Sequence, residues 1–270
     1  MSERVVYTVT DGVADVRLNR PEKMNALDPP MFEAITRTGK ELARLGSLRA
    51  VVLSGEGKAF SAGLDFMSFQ AMAGDGGQRL GDEVFAAHGD GPANFAQQVS
   101  MVWQEVPVPV IAAVHGVAFG GGLQVALGAD IRLVAPDARL SIMEIRWGLV
   151  PDMGGTQLLR HLVRLDVVKE LTFTGRVISG KEAVELGLAT RVSESPYQEA
   201  MQLAREIASK SPDAVRAGKK LLNASRVLDL AAGLKLEAEL QKSIIGRPNQ
   251  VEAVMANLEK REPRFRDAEE

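Results

Sequence analysis

The sequence predicts an α/β fold that is followed by a helical C-terminal region. Short apolar runs typical of buried strands alternate with amphipathic segments through the first 195 residues, and two of these runs lead into glycine-rich turns. From Pro196 onward the pattern is helical, with no further strand candidate. We therefore divide the chain into a core of residues 1–195 and a helical region of residues 196–270.

The chain begins with a predicted hairpin and helix. Residues 5–10 and 13–19 alternate, or nearly alternate, apolar and polar side chains around Asp11-Gly12. An Asp-Gly pair between two such runs favours a tight hairpin, because both turn positions need positive φ. Asp28 followed by Pro29 is typical of a helix N-cap with proline in the first turn, so we expect a helix from Pro29 to about Leu45.

Three further buried strands are predicted at residues 49–54, 108–114 and 131–135, and a short apolar helix at residues 123–127. Between the first two of these strands, residues 71–93 are glycine-rich and weakly apolar. They fit either a surface loop or a lid over a pocket, because long connections inside compact domains are often functional.

Composition excludes several classes of protein. With 32 Lys+Arg and 35 Asp+Glu the net charge is −3, so the strongly basic face typical of nucleic-acid binding is not expected. The absence of cysteine removes disulfides and thiolate zinc sites, and the three histidines lie far apart, so we predict no metal site. The sequence has no apolar run of 18 residues and no apolar signal peptide, and we expect a soluble, cytoplasmic protein with no membrane partner.

A glycine triplet at residues 120–122 follows one buried strand and leads into the short apolar helix. Glycines at such a junction let backbone N–H groups approach a ligand, and the start of a helix adds partial positive charge. The triplet therefore indicates either a site for a negatively charged oxygen or close packing of the helix on the strand.

Four ordered motifs resemble those of the crotonase superfamily of enoyl-CoA hydratases and isomerases. They are NRPEKMNAL (residues 19–27), FSAGLD (60–65), PVIAAVHGVAFGGG (109–122) and GLVPDMGGTQ (148–157). The resemblance covers nearly the whole chain. It implies a spiral of ββα units with a C-terminal helical region, an acyl-CoA substrate, and a homotrimer or homohexamer. It implies no cofactor, since coenzyme A is part of the substrate.

The resemblance also assigns binding residues. In such enzymes the thioester oxygen lies between two backbone N–H groups, which match Leu64 and Gly121 here. Two such donors stabilise the enolate that forms when a proton next to the thioester is removed, and one donor contributes roughly 3–4 kcal/mol. The positions matched to the CoA groove are Lys23, Ala26, Ala62, Gly63 and Asp65.

The catalytic acids depart from the hydratase pattern. Hydratases of this family hold a water molecule between two glutamates; the second matches Glu144, but the first position is Gln124. An amide cannot act as a general base at neutral pH, although it can orient water or substrate. Asp152 stands where many hydratases carry glycine and resembles the dienoyl-CoA isomerase branch, which nevertheless has a third acid where Gln124 stands. Glu144 could instead pair with Arg146, and Asp152 could cap the helix expected near Gly155.

Two further residues near these motifs are candidates for a role in the site. Trp147 fits either a wall of the acyl pocket or ordinary core, whereas His115 beside the glycine triplet is expected to be structural. The sequence thus predicts an acyl-CoA enzyme that shifts the double bond of enoyl- or dienoyl-CoA thioesters, with Glu144 as the main proton carrier. An enoyl-CoA hydratase and a non-catalytic acyl-CoA-binding protein of the same fold are the alternatives.

Overall fold

A computed structural model describes residues 3–67 and 91–268. Most of the segment predicted as a loop or lid, residues 71–93, lies outside the described residues. The described chain contains a larger sheet whose strands, in spatial order, are β1 (Val5–Thr10), β2 (Val13–Leu18), β3 (Ala50–Gly55), β4 (Val110–Val114), β6 (Ile131–Val134) and β9 (Arg191–Val192). Among the described pairings of this larger sheet, β1 and β2 are antiparallel and the others are parallel.

A smaller sheet forms a second layer from β5 (Val117–Phe119), β7 (Arg139–Ser141) and β8 (Ile178–Ser179). Each turn of the chain adds a strand to the larger sheet and then an extended segment to the second layer. The loop after β3 joins this layer through single parallel bridges, Leu27 to Leu64 and Ser61 to Ala118. This repeated order is the predicted ββα spiral. The second-layer strands were not predicted, because two or three residues are too few for an alternating pattern.

The described helices are α1 (Pro29–Ala43), α2 (Phe95–Glu105), α3 (Gly121–Leu127), α4 (Gly155–Leu159), α5 (Leu165–Thr174), α6 (Gly180–Glu185), α7 (Pro196–Ala208), α8 (Pro212–Ser225), α9 (Leu230–Ile244) and α10 (Pro248–Glu259). The predicted cap of α1 is confirmed, since the Asp28 carboxylate accepts a hydrogen bond from the Met31 N–H at 3.0 Å. α3 starts two residues earlier than predicted, so that Gly121 and Gly122 form its first turn.

The strand predicted from residue 108 begins at Val110 instead. Pro109 has no N–H to give to a neighbouring strand, so regular pairing starts after it. β3 and β4 are buried along almost their whole length, because helices cover both faces of the sheet. α1, α2 and α3 contribute to the core on one face, and Ala200 and Ala204 of α7 pack on the other. Burial on both faces explains the continuous apolar runs.

The region after α7 exposes many apolar side chains. α9 buries none of its residues, and Leu230 and Leu258 are 79% and 73% exposed. None of the described helices has both the length and the apolar character needed to cross a membrane. The division of the chain at residue 195 stays a prediction.

Candidate active site

A cavity of about 150 Å³ lies between the loop after β3, the start of α3 and the segment that follows β7. Its lining residues are Phe32, Ala62, Gly63, Leu64, Ala96, Phe119, Gly120, Gly121, Met143, Glu144, Trp147, Leu149, Asp152 and Met153. The fold therefore brings together both predicted oxyanion residues and both predicted acids. Larger cavities of about 730 and 580 Å³ border α8 and contain none of the predicted site residues.

The Leu64 amide is presented by a short extended loop. The Leu27 N–H donates to the Gly63 carbonyl at 2.8 Å, and the Asp65 N–H donates to the Leu27 carbonyl at 3.0 Å. These bonds hold the residues on either side of Leu64, whereas the Leu64 N–H itself donates to no other described residue. Gly63 has φ +87°, a conformation that glycine adopts at little cost.

The Gly121 amide opens α3 and likewise donates to no described protein group, as expected for a first-turn N–H. It lies beside the Leu64 loop. A Cβ at Gly63 would come within 2.5 Å of the Phe119 carbonyl oxygen and 3.6 Å of the Gly121 nitrogen. Two free amides thus border one small cavity, as stabilisation of a single oxygen would require.

Glu144 begins a 3₁₀ turn, Glu144–Trp147, directly after the second-layer strand β7, and its side chain is buried. Its Oε1 accepts a 2.6 Å hydrogen bond from Nε2 of Gln124, and its Oε2 has no hydrogen-bond partner among the described residues. Burial raises the pKa of Glu144, and the nearby charge of Asp152 raises it further, although the Gln124 hydrogen bond opposes the rise. Oε2 is therefore the carboxyl oxygen that the described protein groups leave without a partner.

Gln124 lies on α3 behind Glu144 and does not line the cavity. Its Oε1 accepts from the backbone N–H groups of Met153 and Gly155, both at 2.9 Å. Because two N–H donors fix the oxygen, the NH₂ group must face Glu144 and donate to it. The three hydrogen bonds show Gln124 bracing the Glu144 carboxyl and the 153–155 turn.

Asp152 lines the cavity and is half-buried, and burial raises its pKa. The interpretation of Asp152 as a helix cap is wrong, because α4 begins after Gly154 without a side-chain cap. The ion pair considered for Glu144 is also not formed, since Arg146 is exposed and its described polar contact is with the Met143 sulfur.

Trp147 and His115 differ in their position relative to the cavity. Trp147 is 49% exposed and lines the cavity, so it forms a wall and not core. Its ring makes an edge-type contact with the ring of Phe66, with centroids 6.5 Å apart. His115 lies outside the cavity, and its Nε2 is 3.0 Å from the Gly57 carbonyl oxygen, a position in accord with a structural role.

The residues matched to the CoA groove lie in two adjoining loops. Ala62 and Gly63 border the cavity, and the Ala62 N–H donates to the Met24 carbonyl at 2.8 Å, next to Lys23. The Ala26 side chain is buried. The Asp65 carboxylate is turned inward, where it pairs with Arg20 at 2.6 Å. Burial alone would raise the pKa of Asp65, but bonds from the Met67 N–H and Arg20 outweigh it and lower the pKa.

Several cavity walls were not predicted, namely Phe32, Ala96, Met143, Leu149 and Met153. Phe32 and Ala96 continue the helical periodicity of α1 and α2, so the sequence gives them no signal beyond that of core residues. Within residues 3–67 and 91–268, no cluster of three potential metal ligands occurs.

Residues 8–268 match the sequence profile of the enoyl-CoA hydratase/isomerase family. The chain belongs to this family. The resemblance to the crotonase superfamily is thereby confirmed, together with the expected crotonase-like α/β fold.

Two human mitochondrial members of the enoyl-CoA hydratase/isomerase family illustrate the range of its relatives. Delta(3,5)-Delta(2,4)-dienoyl-CoA isomerase is 37% identical over 256 residues, which cover 93% of this chain and 77% of the relative. Methylglutaconyl-CoA hydratase is 31% identical over 265 residues, with 94% and 74% covered. The crystal structure of an enoyl-CoA hydratase from Bacillus anthracis aligns with a TM-score of 0.85 at 30% identity, covering 97% of this chain and 98% of that one.

Proposed function

We propose that the protein shifts the double bonds of enoyl- or dienoyl-CoA thioesters, with the enolate held by the Leu64 and Gly121 amides. Glu144 is the principal proton carrier and Asp152 the assisting one. The observation that carries the proposal is the distribution of groups around the cavity. Two carboxyls line it, while the position of the first hydratase glutamate is Gln124, an amide whose polar atoms are bonded to protein groups.

The proposed reaction needs only proton transfer. Ionised Glu144 removes a proton from the carbon next to the thioester, and the C–H electron pair moves into the conjugated system and onto the thioester oxygen. A proton is then returned to a carbon farther along the chain, which forms a new C–H bond and restores the thioester. Burial raises the pKa of both Glu144 and Asp152, which makes each ionised carboxylate a stronger proton acceptor than an exposed one. No oxidant, reductant or added cofactor is required.

The curated relatives support this choice without deciding it. Identity is higher with the human dienoyl-CoA isomerase, at 37%, than with the human methylglutaconyl-CoA hydratase, at 31%. A pure acyl-CoA binder would have no use for a buried carboxyl with an unpartnered oxygen, because burying such a group without a hydrogen bond is unfavourable. Ala62, Gly63 and Lys23 would bind the CoA part of the substrate.

Parallel assays distinguish the reactions. With a 3,5-dienoyl-CoA we expect the chromophore to change to that of the conjugated 2,4-dienoyl thioester, and with a 2-enoyl-CoA we expect slow loss of the enoyl absorbance or none. Fast loss of the enoyl absorbance without dienoyl conversion would make the protein a hydratase. Binding of both thioesters with no spectral change over hours would leave the binding-only function.

We also propose that the chain forms a homotrimer or homohexamer. Leucines of α8, α9 and α10 are exposed, among them Leu222 at 68%, Leu230 at 79% and Leu258 at 73%. Large exposed apolar patches mark protein–protein interaction sites. Light scattering at micromolar concentration is expected to give three or six times the chain mass, and Leu230→Lys is expected to lower it. Val9→Lys on β1 is the matched control at another exposed apolar position and should leave the mass unchanged. A monomer mass for the unaltered protein would contradict the proposal.

A further inference from the structure

We infer that the ion pair between Arg20 and Asp65 positions the Leu64 amide for the developing enolate, and this inference rests on the proposed function. Arg20 and Asp65 are then positioning residues, which act on the substrate through the backbone of the loop. Neither side chain lines the cavity.

The Asp65 carboxylate is held through both oxygens. Oδ2 is 2.6 Å from Nη1 of Arg20, and Oδ1 accepts from the Met67 N–H at 2.8 Å. The Arg20 and Asp65 side chains are only 12% and 10% exposed, so the pair is screened little by solvent. Since Asp65 directly follows Leu64, the restraint applies to the next peptide unit.

Arg20 links this carboxylate to two other parts of the fold. The same Nη1 donates to the Ala26 carbonyl at 3.1 Å, and Nε lies 3.6 Å from the Asp28 carboxylate that caps α1. Arg4 pairs with Asp28 as well, at 2.8 Å. The loop after β3 is thereby joined to the segment between β2 and α1, more than 30 residues earlier in the chain.

The Leu64 peptide needs such a restraint because of its neighbour. Gly63, at φ +87°, has the broad backbone freedom of glycine. The Leu64 N–H shares a planar peptide unit with the Gly63 carbonyl, so the hydrogen bond from the Leu27 N–H restrains it from one side. The Asp65 side chain restrains the peptide unit on the other side of Leu64. An error of about 1 Å in the placement of a catalytic group can reduce the rate by roughly 100-fold. A side-chain anchor one residue away limits this error.

The test uses cinnamoyl-CoA, whose conjugated absorbance moves to longer wavelength when its thioester oxygen accepts strong hydrogen bonds. The parent protein is expected to show this shift on binding. Arg20→Gln and Asp65→Asn should each lose most of it, and kcat should fall by roughly 100-fold with KM little changed. The double variant should lose no more than either single variant, because the two residues act as one unit. Arg20→Lys, which keeps the charge, should recover part of the shift.

A matched control separates positioning from general destabilisation. Lys219 and Asp130 form another largely buried ion pair, at 2.8 Å, with 6% and 20% of the side chains exposed and no contact with the cavity. Lys219→Met should lower Tm to a similar degree as Arg20→Gln and retain the full spectral shift.

The possible outcomes are distinct. A full shift in folded Arg20→Gln or Asp65→Asn overturns the positioning role and leaves the proposed function standing. The positioning role is also overturned if the losses of spectral shift in the two single variants add up in the double variant. An equal loss of the shift in Lys219→Met overturns it as well. If the parent binds cinnamoyl-CoA without any shift, the oxyanion assignment fails and the inference fails with it.

Discussion

Glu144→Gln is expected to lower the rate of double-bond isomerisation by roughly 10²- to 10⁴-fold, the usual contribution of a positioned acid–base group. The substitution keeps the size of the side chain, and its oxygen can still accept from Nε2 of Gln124, as Oε1 does now. The group that replaces Oε2 cannot take up a proton. The loss should therefore appear in kcat, measured with the dienoyl-CoA substrate, while Asp152→Asn should cost less.

Stability provides an independent check on Glu144. The folded-state pKa is raised, so its contribution to folding is fully present below the unfolded-state pKa and is lost as pH rises through the folded-state pKa. Glutamine does not ionise, so the Glu144→Gln variant does not lose this stability as pH rises. Tm of Glu144→Gln should consequently increase relative to the parent as pH rises toward neutrality.

Turnover of Glu144→Gln within about threefold of the parent on every enoyl-CoA, which is less than 1 kcal/mol of barrier, would contradict the catalytic assignment.

Gln124→Glu is expected to produce a gain of hydratase activity at the expense of isomerisation. One carboxylate oxygen can keep the bonds from the Met153 and Gly155 N–H groups, which leaves the other facing Oε1 of Glu144. Two facing carboxylates cannot both ionise easily, so the pKa of Glu144 should rise further. A second acid–base group contributes roughly 10²- to 10⁴-fold when it is well placed. We expect the hydration rate with a 2-enoyl-CoA to rise and its pH profile to move upward.

Gln124→Ala serves as the control for this gain. It leaves two buried backbone N–H groups without an acceptor, each of which costs about 1–3 kcal/mol, and it removes the donor to Glu144. Tm should fall, and neither reaction should become faster. A hydration rate that rises equally in the alanine and glutamate variants would show that a second carboxyl is not what hydration lacks.

The sequence predicts those features whose signal is local. Asp11-Gly12 gives the hairpin, with both residues at positive φ, and Asp28 gives the start of α1. The glycine-flanked positions of Leu64 and Gly121 could be predicted only through family motifs, because a glycine triplet alone also fits close packing. Its placement beside the Leu64 loop depends on second-layer strands too short to leave a periodic pattern.

The parts that could not be predicted depend on long-range partners. Arg20 and Asp65 are 45 residues apart in sequence, and nothing in either motif identifies one as the partner of the other. The orientation of the Gln124 amide is set by two backbone N–H groups 29 and 31 residues away. The sequence predicts that this glutamine orients substrate or water, whereas in the fold its amide bonds Glu144 and does not line the cavity.

The order of the spiral has a consequence for how new activities can arise on this scaffold. Three successive turns of the spiral each supply one site residue: Leu64 follows β3, Gly121 follows β4 and Glu144 follows β6. Under the proposed function, a substitution at 124, 144 or 152 would change where protons are taken and returned, while the backbone amides of Leu64 and Gly121 would stay in place. Directed evolution confined to these three positions would therefore sample different reactions on a retained thioester. Substitutions in the loop at 62–65 would instead weaken thioester binding and so lower the rate of all these reactions together.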